Sequence, residues 1–174
     1  MKQLFSILTI LFISAIVLNG AHAQHKSLSK SSPKFRYDTA IAMNSGNTVD
    51  ASSVNTKAVK DFNKFFKNVT NEKWYVAEDG FFANFNDNGI ETKVAYDKKG
   101  MWHCTVRTLD EMQLPTNVRD VVKSKYYDSK ILVGYEIKHS DGSVYIIKTE
   151  DSKSLRILRV TDGEIEVIAN NIKG

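Results

Sequence analysis

The chain has 174 residues, of which 42% are hydrophobic, which is enough to build a core. Its net charge of +4 is small and spread along the chain, so it does not indicate a nucleic-acid-binding surface. Cys104 is the single cysteine, and this excludes an intramolecular disulfide. Stability therefore has to come from hydrophobic burial, for which the chain is long enough.

Residues 1–23 carry the features of a secretory signal peptide. Lys2 is followed by an apolar stretch from Leu4 to Leu18, and then by Ala21-His22-Ala23, a small-residue cleavage site. The alternative is an uncleaved membrane anchor, but the apolar stretch is shorter than the roughly 20 residues that span a bilayer. We predict cleavage after Ala23 and a product in the periplasm or outside the cell, without a stable membrane anchor.

Residues 24–55 are rich in Ser, Asn and Lys and show no sustained apolar period. Such a segment buries too little surface to offset its ordering entropy, so we predict a flexible linker. The run from Tyr37 to Met43 is a weaker candidate for an additional strand.

The pattern changes at Thr56, where a folded domain over residues 56–172 is predicted. Apolar residues at helical spacing indicate two helices, one from Thr56 and one opening at Leu114-Pro115. Alternating apolar residues after each helix indicate four strands. These strands cover residues 73–78, 81–86, 90–96, 101–107, 131–138, 143–149, 154–160 and 164–168. The sequence thus predicts an α+β fold of two helix-plus-four-strand repeats, with the helices packed on one face of an antiparallel sheet.

Clusters of Asp, Asn and Gly separate the predicted strands at Asn88-Gly89, Gly100, Asp141-Gly142 and Asp162-Gly163. These residues supply the positive φ angles that hairpin turns need. The alternative is a cation-binding loop, but no cluster has the alternating oxygen ligands and closing Glu of an EF-hand. We therefore predict turns, with no metal and no cofactor.

Few residues suggest catalysis. His103 and Cys104 are neighbours on a predicted strand, so their side chains point to opposite faces and cannot form a nucleophile and base pair. The sequence contains no G-x-S-x-G, no glycine-rich phosphate loop and no histidine pair at metal-ligand spacing. We predict that the protein is not an enzyme and has no catalytic residues.

Aromatic residues give a stronger indication of function. Alternation places Phe81, Ala83 and Phe85 on the core side of their strand, and Trp102, Cys104 and Val106 on the core side of theirs. Aromatic and cationic residues on the opposite register form a candidate binding patch, which consists of Tyr75, Phe82, Lys93, His103 and Arg107. Aromatics beside cations are typical of protein-contact surfaces. The alternatives are that the linker or a second subunit covers this face, or that the strand register is displaced by one residue.

Several segments together resemble a known family: WYVAEDGFFANF, NGIETKVAYDKKGMW, LP..V..VV...Y and VGYEIKHSDGSVYIIKTE. They are similar to the beta-lactamase-inhibitor-like, PepSY-like proteins that Bacteroidetes-type bacteria export, over about residues 57 to 170. The resemblance implies helices on one side of an antiparallel sheet, an open opposite side, and binding of proteins or peptides in the cell envelope. It implies no catalytic residues.

The functional expectation is an exported, non-catalytic module that presents an open sheet face to an envelope or extracellular protein or peptide. An inhibitor-like role falls within this expectation. The alternative is a periplasmic carrier of a small ligand or metal.

Overall fold

The computed structural model of the protein describes residues 47–173. Two helices are present, α1 (Thr56–Phe65) and α2 (Thr116–Lys125). The strands are β1 (Thr48–Val49), β2 (Thr70–Ala77), β3 (Gly80–Asp87), β4 (Ile90–Asp97), β5 (Trp102–Leu109), β6 (Lys130–His139), β7 (Gly142–Glu150), β8 (Ser154–Thr161) and β9 (Glu164–Ile172). Both predicted helices and all eight predicted strands are found near their expected positions.

The strands form one antiparallel sheet in which every strand pairs with its neighbours in the chain, in the order β1 to β9. The predicted α+β class is therefore confirmed. The sheet has nine strands rather than eight, because Thr48 and Val49 pair with Tyr75 and Trp74 at the edge of β2. The duplication into two repeats stays an interpretation of the sequence.

The fold begins before Thr56, within the segment that was predicted to be a flexible linker. Besides β1, residues Ala51–Ser53 form a turn of 3-10 helix, and Val54 is buried in the core. These short elements contain too few apolar residues to show a helical or strand period. The hydrophobic pattern of the sequence therefore could not predict them. The predicted signal peptide and the run from Tyr37 to Met43 lie outside the described residues.

Helix α1 starts where the sequence provides a cap. The Asn55 side chain accepts a hydrogen bond from the backbone N–H of Lys57 at 2.9 Å, which satisfies one of the free donors of the first turn. The helix buries Ala58 and Phe62 against one end of the sheet. The strand residues of this first core cluster are Trp74, Ala83, Phe85, Val94 and Tyr96.

Helix α2 follows Pro115 directly and buries Val118 and Val122 against the other end of the sheet. The strand residues of this second cluster are Leu109, Ile131, Ile147, Leu158 and Val160. Strand alternation and pairing place the strand residues of both clusters on the same face of the sheet. Both helices therefore cover one face, as predicted, and we call it the helix-covered face.

The Asp, Asn and Gly clusters connect adjacent strands, as predicted. Asn88 and Gly89 join β3 to β4 with φ angles of 51° and 85°, and Asp162 and Gly163 join β8 to β9 with 52° and 80°. Positive φ at two consecutive positions matches the twist of the flanking strands. These residues are therefore explained by the turns that they form.

Asp151 holds the connection between β7 and β8. Its carboxylate accepts hydrogen bonds from the Lys153 and Ser154 backbone N–H groups, each at 2.8 Å, and from the Arg156 guanidinium. The bond from Arg156 is the main reason that the pKa of Asp151 is lowered. Arg156 also stacks over the Tyr126 ring, which follows α2. The carboxylate therefore links the β7–β8 connection to the end of α2.

We expect Asp151→Asn to lower the midpoint of urea unfolding at pH 7. Because the folded-state pKa lies below that of the unfolded chain, the Asp151 contribution is present above about pH 3.9 and is lost as the pH falls. The difference between variant and wild type should therefore shrink between pH 5 and the acid limit in urea titrations. Asp120→Asn, at an exposed position of α2, is the control. A difference that does not change with pH would contradict this role.

Candidate functional site

The face of the sheet opposite the helices carries a third apolar cluster, and we call it the helix-free face. Its buried members all come from strands: Phe82, Ala95, Cys104, Val106, Ile137 and Ile146. Tyr75, Tyr135, Val144 and Ile157 pack against them and are partly buried. Within residues 47–173, both helices contact the other face. This cluster is therefore formed by strand side chains alone, on the side of the sheet that the helices do not cover.

The prediction that this face is open and wet is wrong for its centre. Phe82 is 2% exposed, Cys104 1% and Ile137 0%. The sequence shows the reason most clearly in β7, where Val144 to Ile147 place large apolar side chains on both faces. A strand that is buried on both sides has a continuous apolar run rather than a strict alternation. The accessible part of the helix-free face is therefore its margin.

A bulge in β5 divides three residues that were predicted on one face between the two faces of the sheet. Ala95 pairs with Cys104 and Tyr96 pairs with Trp102, so His103 is an extra residue between them. As a result Trp102 packs with the α1 cluster, whereas Cys104 and Val106 lie on the helix-free face. The prediction of a common face for these three residues is wrong. Burial raises the pKa of the Cys104 thiol to about 12, so it remains protonated.

Arg107 and His103 do not join the predicted patch. Arg107 pairs with Thr92 on the helix-covered face, where its guanidinium lies 3.1 Å from the Glu136 carboxylate. Glu136 also accepts a hydrogen bond from the Tyr145 hydroxyl at 2.9 Å. Burial, together with this hydrogen bond, raises the pKa of Tyr145 to about 12. His103 is exposed in the bulge and interacts electrostatically with His139.

The other three predicted residues are brought together on the helix-free face, across β2, β3 and β4. Tyr75 and Phe82 are a cross-strand pair with stacked rings, 4.7 Å between centroids and 5° between planes. Phe82 is buried, whereas Tyr75 beside it on the neighbouring strand is partly exposed. Lys93 is 7% exposed, and burial lowers its pKa while the nearby Glu91 acts in the opposite direction. The accessible aromatic group of the patch is therefore Tyr75.

An open depression of about 400 Å³ adjoins Tyr75, and the other residues that line it are not among the predicted site residues. Its lining includes Lys73, Asn84, Asn86 and Glu91. Lys73 pairs with Asn84 and Asn84 pairs with Lys93, so these three side chains form a row across the helix-free face. Among the described residues, the buried Oδ1 atom of Asn84 has no hydrogen-bond partner. We refer to Lys73, Tyr75, Asn84, Asn86, Glu91 and Lys93 as the margin site.

The margin site could have been found from the sequence by fixing the strand register. The turn at Asn88-Gly89 determines which residues of β3 and β4 face each other. Counting back from it pairs Asn84 with Lys93, as observed. The register between β2 and β3 is harder to derive, because it shifts between Thr70 and Lys73.

Within residues 47–173, no group of three or more His, Cys, Asp and Glu side chains is arranged to hold a metal ion. No helix in the same range has the length and apolar character needed to cross a membrane.

The fold is shared with solved structures from Bacteroides. A BLIP-like protein of Bacteroides fragilis aligns with a TM-score of 0.54 and 19% identity, over 67% of this chain and 85% of its own. A DUF2874 family protein of Bacteroides ovatus aligns with a TM-score of 0.57 and 17% identity, over 69% and 88%. The resemblance to BLIP-like proteins is confirmed at the level of the fold. The chain matches no family model, and no curated protein matches it.

A third structural neighbour concerns the location of the protein. A protein of Bacteroides eggerthii that is assigned to the periplasm aligns with a TM-score of 0.55 and 14% identity, over 68% of this chain and 88% of its own. The periplasmic location expected from the signal peptide agrees with the location assigned to this neighbour.

Proposed function

We propose that the protein is a non-catalytic periplasmic module that binds a protein or peptide partner at the margin site of its helix-free face. The observation that carries this proposal is the Tyr75 ring, which stacks on buried Phe82 beside an open depression with polar walls. A rigid aromatic group supplies contact area at low entropy cost, and a polar rim supplies specificity. This arrangement is typical of a contact surface rather than of a reaction centre.

The proposal also includes an inhibitor-like role and an organisation of the fold in two repeated units. The BLIP-like structural neighbour favours an inhibitor-like role, in which a bound enzyme would be the partner. The element order, with four strands after each helix, supports the interpretation as two helix-plus-four-strand units. In that interpretation the margin site belongs to the first unit, since it lies on β2, β3 and β4.

The alternative of a small-ligand carrier is supported less well. The depression has the volume of a small-molecule pocket, about 400 Å³. Such pockets bury most of their ligand's surface, whereas this depression is open to solvent and lies on one sheet face. An open surface is better suited to a polypeptide, whose own side chains can exclude water from the contact.

Photo-crosslinking of a tagged chain in native envelopes tests the proposal. We expect a benzophenone amino acid at position 75 to capture one discrete protein, and Tyr75→Ala to weaken retention of that protein at least tenfold, about 1.4 kcal/mol. The control is position 127, because Tyr127 is 84% exposed and lies between α2 and β6. Equal capture from positions 75 and 127, or no loss in Tyr75→Ala, would refute binding at the margin site.

A further inference from the structure

The solvent side of α1 carries a stripe of exposed lysines. Lys57, Lys60 and Lys64 lie three or four residues apart, on the side of the helix opposite buried Ala58 and Phe62. The β4–β5 turn extends this surface, because the Asn55 side-chain amide at the start of α1 donates a hydrogen bond to the Lys98 carbonyl at 3.1 Å. The lysine face is our name for the six exposed lysines of α1, of the residues just after it and of this turn: Lys57, Lys60, Lys64, Lys67, Lys98 and Lys99.

No described acid forms an ion pair with the lysine face. Two acids close in sequence have other contacts. Burial, together with the Asp61 carboxylate, raises the pKa of the Tyr96 hydroxyl, and Asp97 accepts hydrogen bonds from backbone N–H groups of its own turn. Helix α2 differs in this respect, since Lys123 pairs with Glu111 at 3.1 Å.

The lysines are unfavourable for α1 itself. Like charges three or four residues apart on a helix repel each other, as Lys60 and Lys64 do. A cation in the first turn also opposes the helix dipole, and α1 has Lys57 there and no acid. Natural proteins break such local rules mainly at functional sites. An anionic partner would relieve both unfavourable effects.

The positive charge of the chain is concentrated in the segment that ends just after α1. Residues 24–67 contain eight Lys and Arg and three acidic residues, whereas residues 68–174 contain 15 Lys and Arg and 17 acidic residues. The expectation that the charge is spread along the chain is therefore wrong. Four of these cations precede the described residues: Lys26, Lys30, Lys34 and Arg36.

The side chains of this surface favour an anionic lipid bilayer as the partner. Phe65, 64% exposed, and Met101, 54% exposed, border the lysine face, and the Phe65 ring centre lies 4.9 Å from the Lys64 ammonium. Lysines beside exposed apolar groups on an amphipathic helix are typical of binding to anionic headgroups. The lysine face contains no arginine, the residue that reads nucleic acids through bidentate hydrogen bonds.

We propose that the lysine face binds reversibly to a bilayer surface rich in anionic phospholipid, with Phe65 entering the headgroup region. This contact is separate from the proposed binding of a protein or peptide. Because α1 lies on the helix-covered face, a bilayer at the lysine face leaves the margin site accessible to that partner.

Vesicle flotation of the chain starting at Gln24 tests the proposal. We expect saturable binding to vesicles of equal parts phosphatidylglycerol and phosphatidylcholine, and at least tenfold weaker binding to vesicles of phosphatidylcholine alone. The double variant Lys60→Gln/Lys64→Gln should bind the anionic vesicles at least tenfold more weakly, because each lysine near such a surface contributes roughly fivefold. Inorganic phosphate at the phosphate concentration of the vesicles should not displace the chain.

The matched control is Lys130→Gln/Lys153→Gln, which removes the same charge at exposed positions outside the lysine face and should bind like the wild type. Phe65→Ala should weaken binding about threefold, because its ring adds apolar contact in the headgroup region. Equal binding to both kinds of vesicle, equal losses in the two double variants, or displacement by phosphate would overturn the proposal. A DNA duplex that binds as tightly as the anionic vesicles at equal phosphate concentration would overturn it too.

Discussion

Phe62→Ala is expected to lower the free energy of unfolding by about 3–5 kcal/mol, the range for removal of a buried aromatic side chain. Phe62 is 1% exposed and is the main contact of α1 with the sheet. Its ring packs at 5.3 Å from Trp74 and 5.0 Å from Phe85, both edge-on, and at 5.2 Å from Phe66. Its removal opens a cavity that these rings cannot fill, because Trp74 and Phe85 are held on two different strands and Phe66 directly follows the end of α1.

Phe65→Ala provides a matched control in the same helix. Phe65 is 64% exposed, and its ring contacts the Lys64 ammonium at the surface. Its loss should change the free energy of unfolding by less than about 1 kcal/mol, as is usual for surface substitutions. Urea unfolding of both variants, followed by tryptophan fluorescence, checks the difference. A loss of less than about 1 kcal/mol in Phe62→Ala would contradict the central position assigned to this residue.

Features that depend on local sequence could be predicted. Val59, Phe62 and Phe66 are apolar residues at helical spacing, and this spacing predicts the helix α1 that is observed. The turns at Asn88-Gly89 and Asp162-Gly163 were predictable because few other residues adopt consecutive positive φ angles. The same local rules placed Tyr75 and Phe82 on the face without helices, where the structure has them.

Features that depend on pairing between strands could not be predicted from local pattern. The extra residue His103 has no sequence signature, yet it reverses the faces of Cys104, Val106 and Arg107 relative to Trp102. One misplaced residue changes the face of every residue after it, because the side-chain period of a strand is two. Arg107 was assigned to the wrong face of the candidate site for this reason.

The burial of residues on the helix-free face could not be predicted either, because strand alternation assumes that only one face of the sheet is buried. Phe82 occupies a position that alternation treats as exposed, but it is 2% exposed, because Tyr75 stacks on it and the cluster around Cys104 surrounds it. The contribution of Lys73 and Asn84 appears only when the registers of β2, β3 and β4 are combined. A site that extends over three strands thus depends on two strand registers, β2 with β3 and β3 with β4. The sequence of any one strand does not contain this information.

Gly80→Ala is the second substitution with a large expected effect, a loss of about 3 kcal/mol in the free energy of unfolding. Gly80 begins β3 with a φ of 157° and faces Asp97 across the ladder. A Cβ atom at this position would lie 2.0 Å from the Tyr96 carbonyl oxygen. Since that oxygen belongs to the backbone of a central strand, the clash cannot be relieved by rotating a side chain.

Gly89→Ala separates the effect of this clash from the general cost of replacing a turn glycine. Gly89 has a φ of 85°, and a Cβ atom there would meet nothing within 4 Å. Its variant should lose only the roughly 1–2 kcal/mol of a left-handed backbone. Because Gly80 sets the approach of β3 to β4, Gly80→Ala should also shift the Asn84 resonances of the margin site, whereas Gly89→Ala should not. Equal losses in the two variants would show that backbone conformation, rather than close packing against Tyr96, fixes the glycine at position 80.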